Sequence, residues 1–500
     1  MPSVWAILLV VPAVMISFFD WRKGLYAVLL VAFLQDPARK LDVDQPVYFT
    51  LLAGVVLATA YLRAQSPRFF LPTQVPGWKH YLQQPSTLLL LVLAIQAGVT
   101  MVRYGNPMIA AIGAVSYLTP LPAMLIGYHF AVRSGRIGVE RWLAAYLLCA
   151  LIMLPSIILE YAGVGWSTLG QVGVGFEMYT DDAILVAHSG FFRASETAAW
   201  HTATATCFLL SLSSMHQLSR RKIVIAVVTV VALLTIGVLT GRRKMFVEVV
   251  IFMSTYIGLL LYFGKGGLRL ALAVLLGGAI SYAALMWWAV DLPDEAAVAG
   301  VATYQQYAGR SATVADDVVD RVLGIGLAPV EWAINNFGWF GGGLGIASQG
   351  AQYFGGGSEV FGGVGEGGLG KITAELGVPG LLIALWFAVS AVRHGWAILR
   401  FVSARSAATA RLACGLVAFL LANISVFFVA TQVFGDMFVL IILGMTAGFF
   451  VATPVLAERE RTQSLAGGRT AAQPPREGRF THQHARVVGT QAGNGARLRR

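Results

Sequence analysis

A chain of 500 residues that is 57% hydrophobic and only 12% charged, with a mean hydropathy of +0.70, is not an ordinary soluble domain, in which roughly a quarter of residues are charged. Its net charge of +11 does not mark a nucleic-acid partner: nine arginines against three glutamates, a net of +6, lie beyond residue 454, in a Gly, Gln, Ala, Thr and Pro tail where no aromatic pattern interleaves with the basic residues. A β-barrel is excluded as well, because the apolar runs are continuous and do not alternate.

Those runs predict an all-α integral membrane protein of about 12 to 13 transmembrane helices, since each run of roughly 17 to 25 residues can cross a hydrocarbon core roughly 30 Å thick. They fall near 3–19, 24–35, 46–62, 86–102, 107–132, 138–162, 198–218, 223–240, 245–263, 269–290, 372–392, 411–430 and 437–453. The second is short enough to form a re-entrant hairpin. The first follows no basic segment and reads as a retained helix, not a cleaved signal peptide. Residues 1–162 thus form an N-terminal set of helices. Residues 163–392 form a core with two long loops, about 163–198 and 291–371, and 393–454 hold the last helices. Residues 455–500 read as a disordered basic tail able to touch anionic lipid. Cys149, Cys207 and Cys414 lie inside apolar runs, so neither a disulfide framework nor a thiolate metal site is expected.

The positive-inside rule orients the chain. If the links at 22–23, 63–79, 133–141, 220–222, 265–269 and 393–411 face the cytoplasm they collect seventeen Lys and Arg, against ten in the opposite links. The N-terminus and both long loops then face outward and the tail faces inward, to the cytoplasm. Arg193, the cluster Arg242, Arg243 and Lys244, and Arg310 and Arg321 stand on the wrong side of this rule. Guanidinium groups kept there, close to the membrane, call for an anion to face.

The larger loop is the one long stretch that is neither apolar nor a short link. Between Arg321 and Lys371 it holds seventeen glycines together with Trp332, Phe337, Trp339, Phe340, Tyr353, Phe354 and Phe361, a composition that can order around a ligand or simply stay mobile. Its GVGEGG string follows no strand, so a nucleotide site is not indicated. HExxH, CxxC and a nucleophile-elbow serine are missing, and the HxH at His482 and His484 lies in the tail; no metal or cofactor is expected.

Four stretches resemble motifs of the O-antigen polymerase and ligase family, multi-spanning enzymes that act on undecaprenyl-pyrophosphate-linked glycans. GFFRASETAAWHTATA is similar to that family's aromatic-Arg motif leading from an outer loop into a helix. LTGRRKMFVEVVIF is similar to its T-G-S-R-small motif, with Arg242 in place of the serine and Arg243 aligned to the arginine. RVLGIGLAPVEWAINNFGWFGGGLG resembles its Arg, spaced Trp and "plfGvGlG" run, and EGGLGKITAELGVPGLLIALWF its His-Asn-x-x-Leu run ending in E-L-G-x-x-G. The resemblance covers about 190–391. It departs from the family at Glu366, which stands where the histidine belongs, and at Gly367, which follows in place of asparagine.

A lipid pyrophosphate leaving group needs cationic forks that stay ionised at a membrane face, which arginine supplies. Arg193 and Arg243 are the candidates for that role, with Arg242, Arg321 and Trp332 expected to bind substrate. The acceptor hydroxyl must lose a proton, and Glu366 or His201 could take it. The expected activity is an inverting, metal-independent glycosyltransferase that moves a glycan from undecaprenyl pyrophosphate to an acceptor glycan or lipid, as a polymerase of O-antigen or exopolysaccharide or as a ligase onto lipid A core. Membrane lipids and other polysaccharide assembly proteins are the remaining expected partners. A lipid-linked sugar transporter, with Glu160 and Glu248 as its intramembrane acids, and a non-catalytic assembly component are the alternatives.

Overall fold

A computed structural model describes residues 3–42, 44–64, 75–172, 177–179, 184–215, 219–263, 276–277, 306–307, 322–348, 351, 367–429 and 431–471. Glu366, Arg310, Arg321, most of the expected span 269–290 and residues 472–500 lie outside them. The chain is an all-α integral membrane protein. Among the described residues the only sheet is one antiparallel pair of three-residue strands, β1 (Glu177–Tyr179) and β2 (Ile184–Val186).

The helices, in chain order, are α1 (Val4–Phe19), α2 (Trp21–Lys40), α3 (Leu52–Arg63), α4 (Trp78–Tyr81), α5 (Gln83–Tyr104), α6 (Pro107–Leu118), α7 (Pro120–Met153) and α8 (Ser156–Tyr161). They continue as α9 (Ser195–Met215), α10 (Arg220–Val238), α11 (Lys244–Tyr262), α12 (Ala328–Phe337), α13 (Gly368–Ser403), α14 (Ala407–Val429) and α15 (Met437–Ala471). Seven helical stretches among the described residues are long and apolar enough to cross a membrane, the longest being Pro107–Tyr161. That stretch contains two of the expected spans, broken at Gly135 (φ 71°, ψ −178°). The expected hairpin at 24–35 is instead part of one 20-residue helix, α2. Nor does the tail begin at 455. Helix α15 runs on to Ala471, with Glu458 paired to Arg405 at 2.9 Å and Glu460 to Arg136 at 2.8 Å.

Contacts sort the links into two ends, as alternate crossing requires. At one end Arg63 Nε donates to the Phe18 carbonyl, His394 Nε2 meets the Pro76 carbonyl at 2.7 Å, Arg133 lies over the Trp21 ring, and Arg411 reaches the Met215 carbonyl. At the other, Lys40, Glu160, residues 186–193, the turn 239–243, Asp436 and Tyr307 come together. Leu8, Phe18, Val224, Ile225 and Val228 on α1 and α10 expose their side chains outward, which suits a lipid environment and not water.

Helix α9 is the exception to outward greasiness. From Ser195 to Phe208 all fourteen consecutive residues are buried, although Thr, Ser, Glu and His are frequent among them. Small Ala and Thr side chains let neighbouring helices approach closely. The threonine hydroxyls are returned to the helix's own backbone, Thr202 to the Ala198 carbonyl at 2.8 Å and Thr206 to that of Thr202 at 2.9 Å.

Helix α13 breaks at Gly377, again with φ 71° and ψ −178°, a conformation essentially restricted to glycine. Into the break docks the loop at 338–348. Val378 N donates to the Trp339 carbonyl at 2.9 Å and Gly342 N to that of Ala374 at 2.7 Å. A Cβ on Gly377 would lie 2.5 Å from the Phe340 carbonyl carbon, whereas one on Gly135 would meet nothing within 4 Å. Both glycine-to-alanine changes incur backbone strain of about 1–3 kcal/mol, and only Gly377→Ala adds the collision. The expected result is a larger fall in the thermal unfolding midpoint in detergent for Gly377→Ala than for Gly135→Ala.

Candidate functional site

The segment Ser189 to Arg193 has no regular structure yet is mostly buried, so its backbone must find partners elsewhere. Every N–H in it is satisfied. Ser189 N and Gly190 N donate to Glu160 Oε2 at 2.9 and 2.5 Å, Phe191 N to Ser156 Oγ at 2.8 Å, Phe192 N to the Ser189 carbonyl at 3.0 Å, and Arg193 N to Asp36 Oδ2 at 3.0 Å. On the carbonyl side, Lys40 Nζ donates to Gly190 O at 2.7 Å and Phe192 O at 2.6 Å, and Val172 N donates to Arg193 O at 2.9 Å. Gly190 adopts φ 59°, and a Cβ there would sit 2.3 Å from Ser156 Oγ, so only glycine lets this loop lie against α8.

The clamp aims Arg193. Its guanidinium pairs with Asp436 Oδ2 at 3.1 Å, just before α15. Burial works against the Arg193 charge, but Asp436, Asp36 and Glu196 outweigh it and hold the group protonated, above its ordinary value. Two residues on, the first turn of α9 receives Arg242, whose Nε donates to Ser195 Oγ at 2.9 Å and whose NH2 group lies 2.7 Å from Glu196 Oε1. Arginines from two separate motifs thus flank the N-terminus of α9, an end that itself favours anions. Arg243 is the N-cap residue of α11. Its neighbour Arg242 binds the Arg193 motif.

The other two motifs also interlock. Glu375, fully buried, accepts Ala347 N at 3.1 Å and Ser348 Oγ at 2.9 Å, tying E-L-G to the GWFGGGLG run. Gln96 Nε2 donates to the Phe340 carbonyl at 2.7 Å, and Thr100 Oγ1 to that of Leu344 at 2.9 Å. The stretch between α14 and α15 joins the two pairs: the Phe427 ring meets Phe434 edge-on at 5.2 Å and crowds Gly368, while Asp436 holds Arg193.

Trp332 lies on α12 with its ring at 5.8 Å from Phe337. His201 is enclosed. Its ring stacks on Phe192 at 4.9 Å, meets Phe33, Trp200 and Phe438, and shares a 2.7 Å hydrogen bond between Nδ1 and Tyr146 Oη, with the residue 0% exposed. That surrounding packs His201 into the bundle, with its Nε2 buried and without a hydrogen-bond partner among the described residues. Glu248 is likewise internal, accepting Asn423 Nδ2 at 3.1 Å, while Asn423 Oδ1 accepts Trp200 Nε1 at 2.7 Å. Glu160 is one of the clamp residues, at the end of α8. Asp36, Lys40, Glu196 and Asp436 were not among the expected site residues. The sequence signal of Asp36, Lys40 and Asp436 is that each interrupts or borders an apolar run, and Glu196 lies within the Arg193 motif. No protein-family model matches this chain, and no curated protein matches it.

Lys40 lies past the apolar part of α2, and burial pulls it down to about 8 in spite of Asp36 and Glu160. The unfolded chain, with a value of 10.5, therefore binds more protons between these two limits. Stability rises with pH across that window. Lys40→Met leaves two buried carbonyls without a donor and is expected to cost about 2–5 kcal/mol. It should also abolish the Lys40 share of that rise, both read as thermal midpoints at neutral and alkaline pH.

Proposed function

We propose that this chain is a membrane glycan polymerase that transfers an undecaprenyl-pyrophosphate-linked oligosaccharide to the hydroxyl of an acceptor sugar. The observation that carries the reading is the convergence of Arg193 and Arg242 on the first turn of α9, each held by a carboxylate. A guanidinium ordered in advance loses little entropy when a phosphate arrives. Two such forks beside a helix N-terminus suit a pyrophosphate whose charge grows as the sugar–oxygen bond breaks.

The end that carries the arginines is the periplasmic one in this reading, because the opposite end gathers the more basic links. Lipid-linked repeats reach it from the bilayer, with the polyprenyl chain along the lipid-facing helices and the pyrophosphate at the head-group level. The described part of the glycine-rich loop, 322–348, supplies the glycan-facing side in this reading.

Purified protein in nanodiscs, supplied with undecaprenyl-pyrophosphate-linked repeat units from its host, is expected to build a ladder of longer lipid-linked chains on a gel. Arg193→Lys and Arg242→Lys keep the charge and lose the fork. Each is expected to slow chain growth by about 10²-fold. A ladder unchanged in both variants would overturn the reading. Transfer only to added lipid A core would make the enzyme a ligase, and movement of lipid-linked sugar into empty liposomes without elongation would make it a transporter.

A further inference from the structure

Three side chains beside the arginines have no part in holding a leaving group. Glu160 commits Oε2 to the Ser189 and Gly190 N–H groups, which fixes its plane and leaves Oε1 facing His188 Nδ1 at 3.5 Å. On the opposite edge of the imidazole, Nε2 lies 3.2 Å from Tyr307 Oη, and that hydroxyl donates its one proton to the Val186 carbonyl at 2.6 Å. Tyr161 braces the assembly, its ring edge-on to His188 at 5.5 Å and to Tyr307 at 6.2 Å. The backbone N–H of His188 donates to the Leu239 carbonyl at 3.4 Å, three residues before Arg242, and Arg193 follows His188 by five.

A carboxylate on one imidazole nitrogen and a hydroxyl oxygen on the other is the arrangement by which an alcohol is activated. The carboxylate favours the tautomer with hydrogen on Nδ1, which leaves the lone pair on Nε2 for the hydroxyl proton. Tyr307 is 1% exposed and packs against the bundle. With its one proton on the Val186 carbonyl the phenol gives none to Nε2, so an alcohol that displaces the phenol can donate there.

We propose that His188 is the general base for the acceptor hydroxyl, oriented by Glu160, and that Tyr307 Oη occupies the place the acceptor oxygen takes. This rests on the glycan-transfer reading above. In the step, the acceptor O–H proton moves to His188 Nε2 as the oxygen bonds to the anomeric carbon. The bond from that carbon to the pyrophosphate oxygen breaks, its electron pair leaving with the pyrophosphate beside Arg193 and Arg242. The imidazolium, facing Glu160, then returns its proton to water. The sequence offered Glu366 and the enclosed His201 for this task; His188, in the same loop as Arg193, sits at the arginine-bearing end with its carboxylate in place.

The nanodisc ladder assay tests it, with kcat and acceptor KM taken from initial rates and donor binding measured separately with undecaprenyl pyrophosphate. His188→Gln is expected to lower kcat about 100-fold or more with donor binding unchanged, and Glu160→Gln to lower kcat by a smaller factor. Tyr307→Phe is expected to lower the acceptor KM without lowering kcat. If the wild-type protein elongates chains and His188→Gln does so within about threefold of its rate, the base assignment is wrong while the polymerase reading stands. The same holds if Glu366→Gln alone abolishes turnover. Should His188→Gln fail to fold, by its melting midpoint, Tyr307→Phe decides: a raised KM or a fallen kcat overturns the proposal. Absence of elongation by the wild-type protein sinks the functional reading itself.

Discussion

Everything at the arginine-bearing end depends on how five residues of irregular backbone are kept dry. A helix satisfies its own amides; the segment Ser189 to Arg193 cannot, and water is scarce where it lies. The solution is to spend charged side chains on peptide groups. One carboxylate of α8 takes two N–H groups, one ammonium of α2 donates to two carbonyls, and Asp36 takes the Arg193 amide. Buried ions of this kind are tolerated because each is hydrogen-bonded and has opposite charge nearby, Asp36 and Glu160 acting on Lys40 and Arg193 on Asp36. The loop is held from two helices that are more than a hundred residues apart in sequence, so its geometry is a property of the bundle and not of the motif.

Arginine placement follows from the same arrangement. Arg193 emerges from the clamped loop and meets Asp436; Arg242 emerges from the tight turn after α10 and meets Ser195 and Glu196. Each guanidinium is fixed by its own carboxylate, Asp436 just before α15 and Glu196 on α9. Charges that would repel one another are thereby kept close, a condition any site for a multiply charged anion must meet. The second interlocked pair, built on Glu375 and the break at Gly377, gives the glycine-rich loop a fixed anchor on α13.

Much of this was legible in the sequence, and the rest was hidden for identifiable reasons. Apolar runs and the distribution of Lys and Arg were enough to predict an all-α membrane protein whose links alternate between two ends, because both signals are local. Arg193 and the cluster Arg242, Arg243 and Lys244 stood out because they violate the charge rule, although Arg243 and not Arg242 was expected beside the leaving group. Asp36, Lys40 and Asp436 did not, since an acidic or basic residue at the border of an apolar run reads as an ordinary helix end. Their pairing is long-range and leaves no periodic trace. His201 misled in the opposite direction: its nearness to the Arg193 motif suggested chemistry, but one turn of helix carries it into the aromatic interior. Glu366 and Arg321 lie outside the described residues, so the structure bears on neither.

Helix α9 carries a further implication for how the protein is made. Fourteen consecutive residues without a lipid-facing side let the helix afford threonines and a histidine, but they also leave it too polar to be counted among the membrane-crossing stretches. A segment of that kind gains little by entering a bilayer alone. Its partition from the translocation channel must therefore be coupled to helices already made, α2 and α7, or delayed until α10, α11 and α14 emerge. The most central element of the bundle is then the one whose integration into the membrane is least autonomous, and assembly of the arginine-bearing end waits on it.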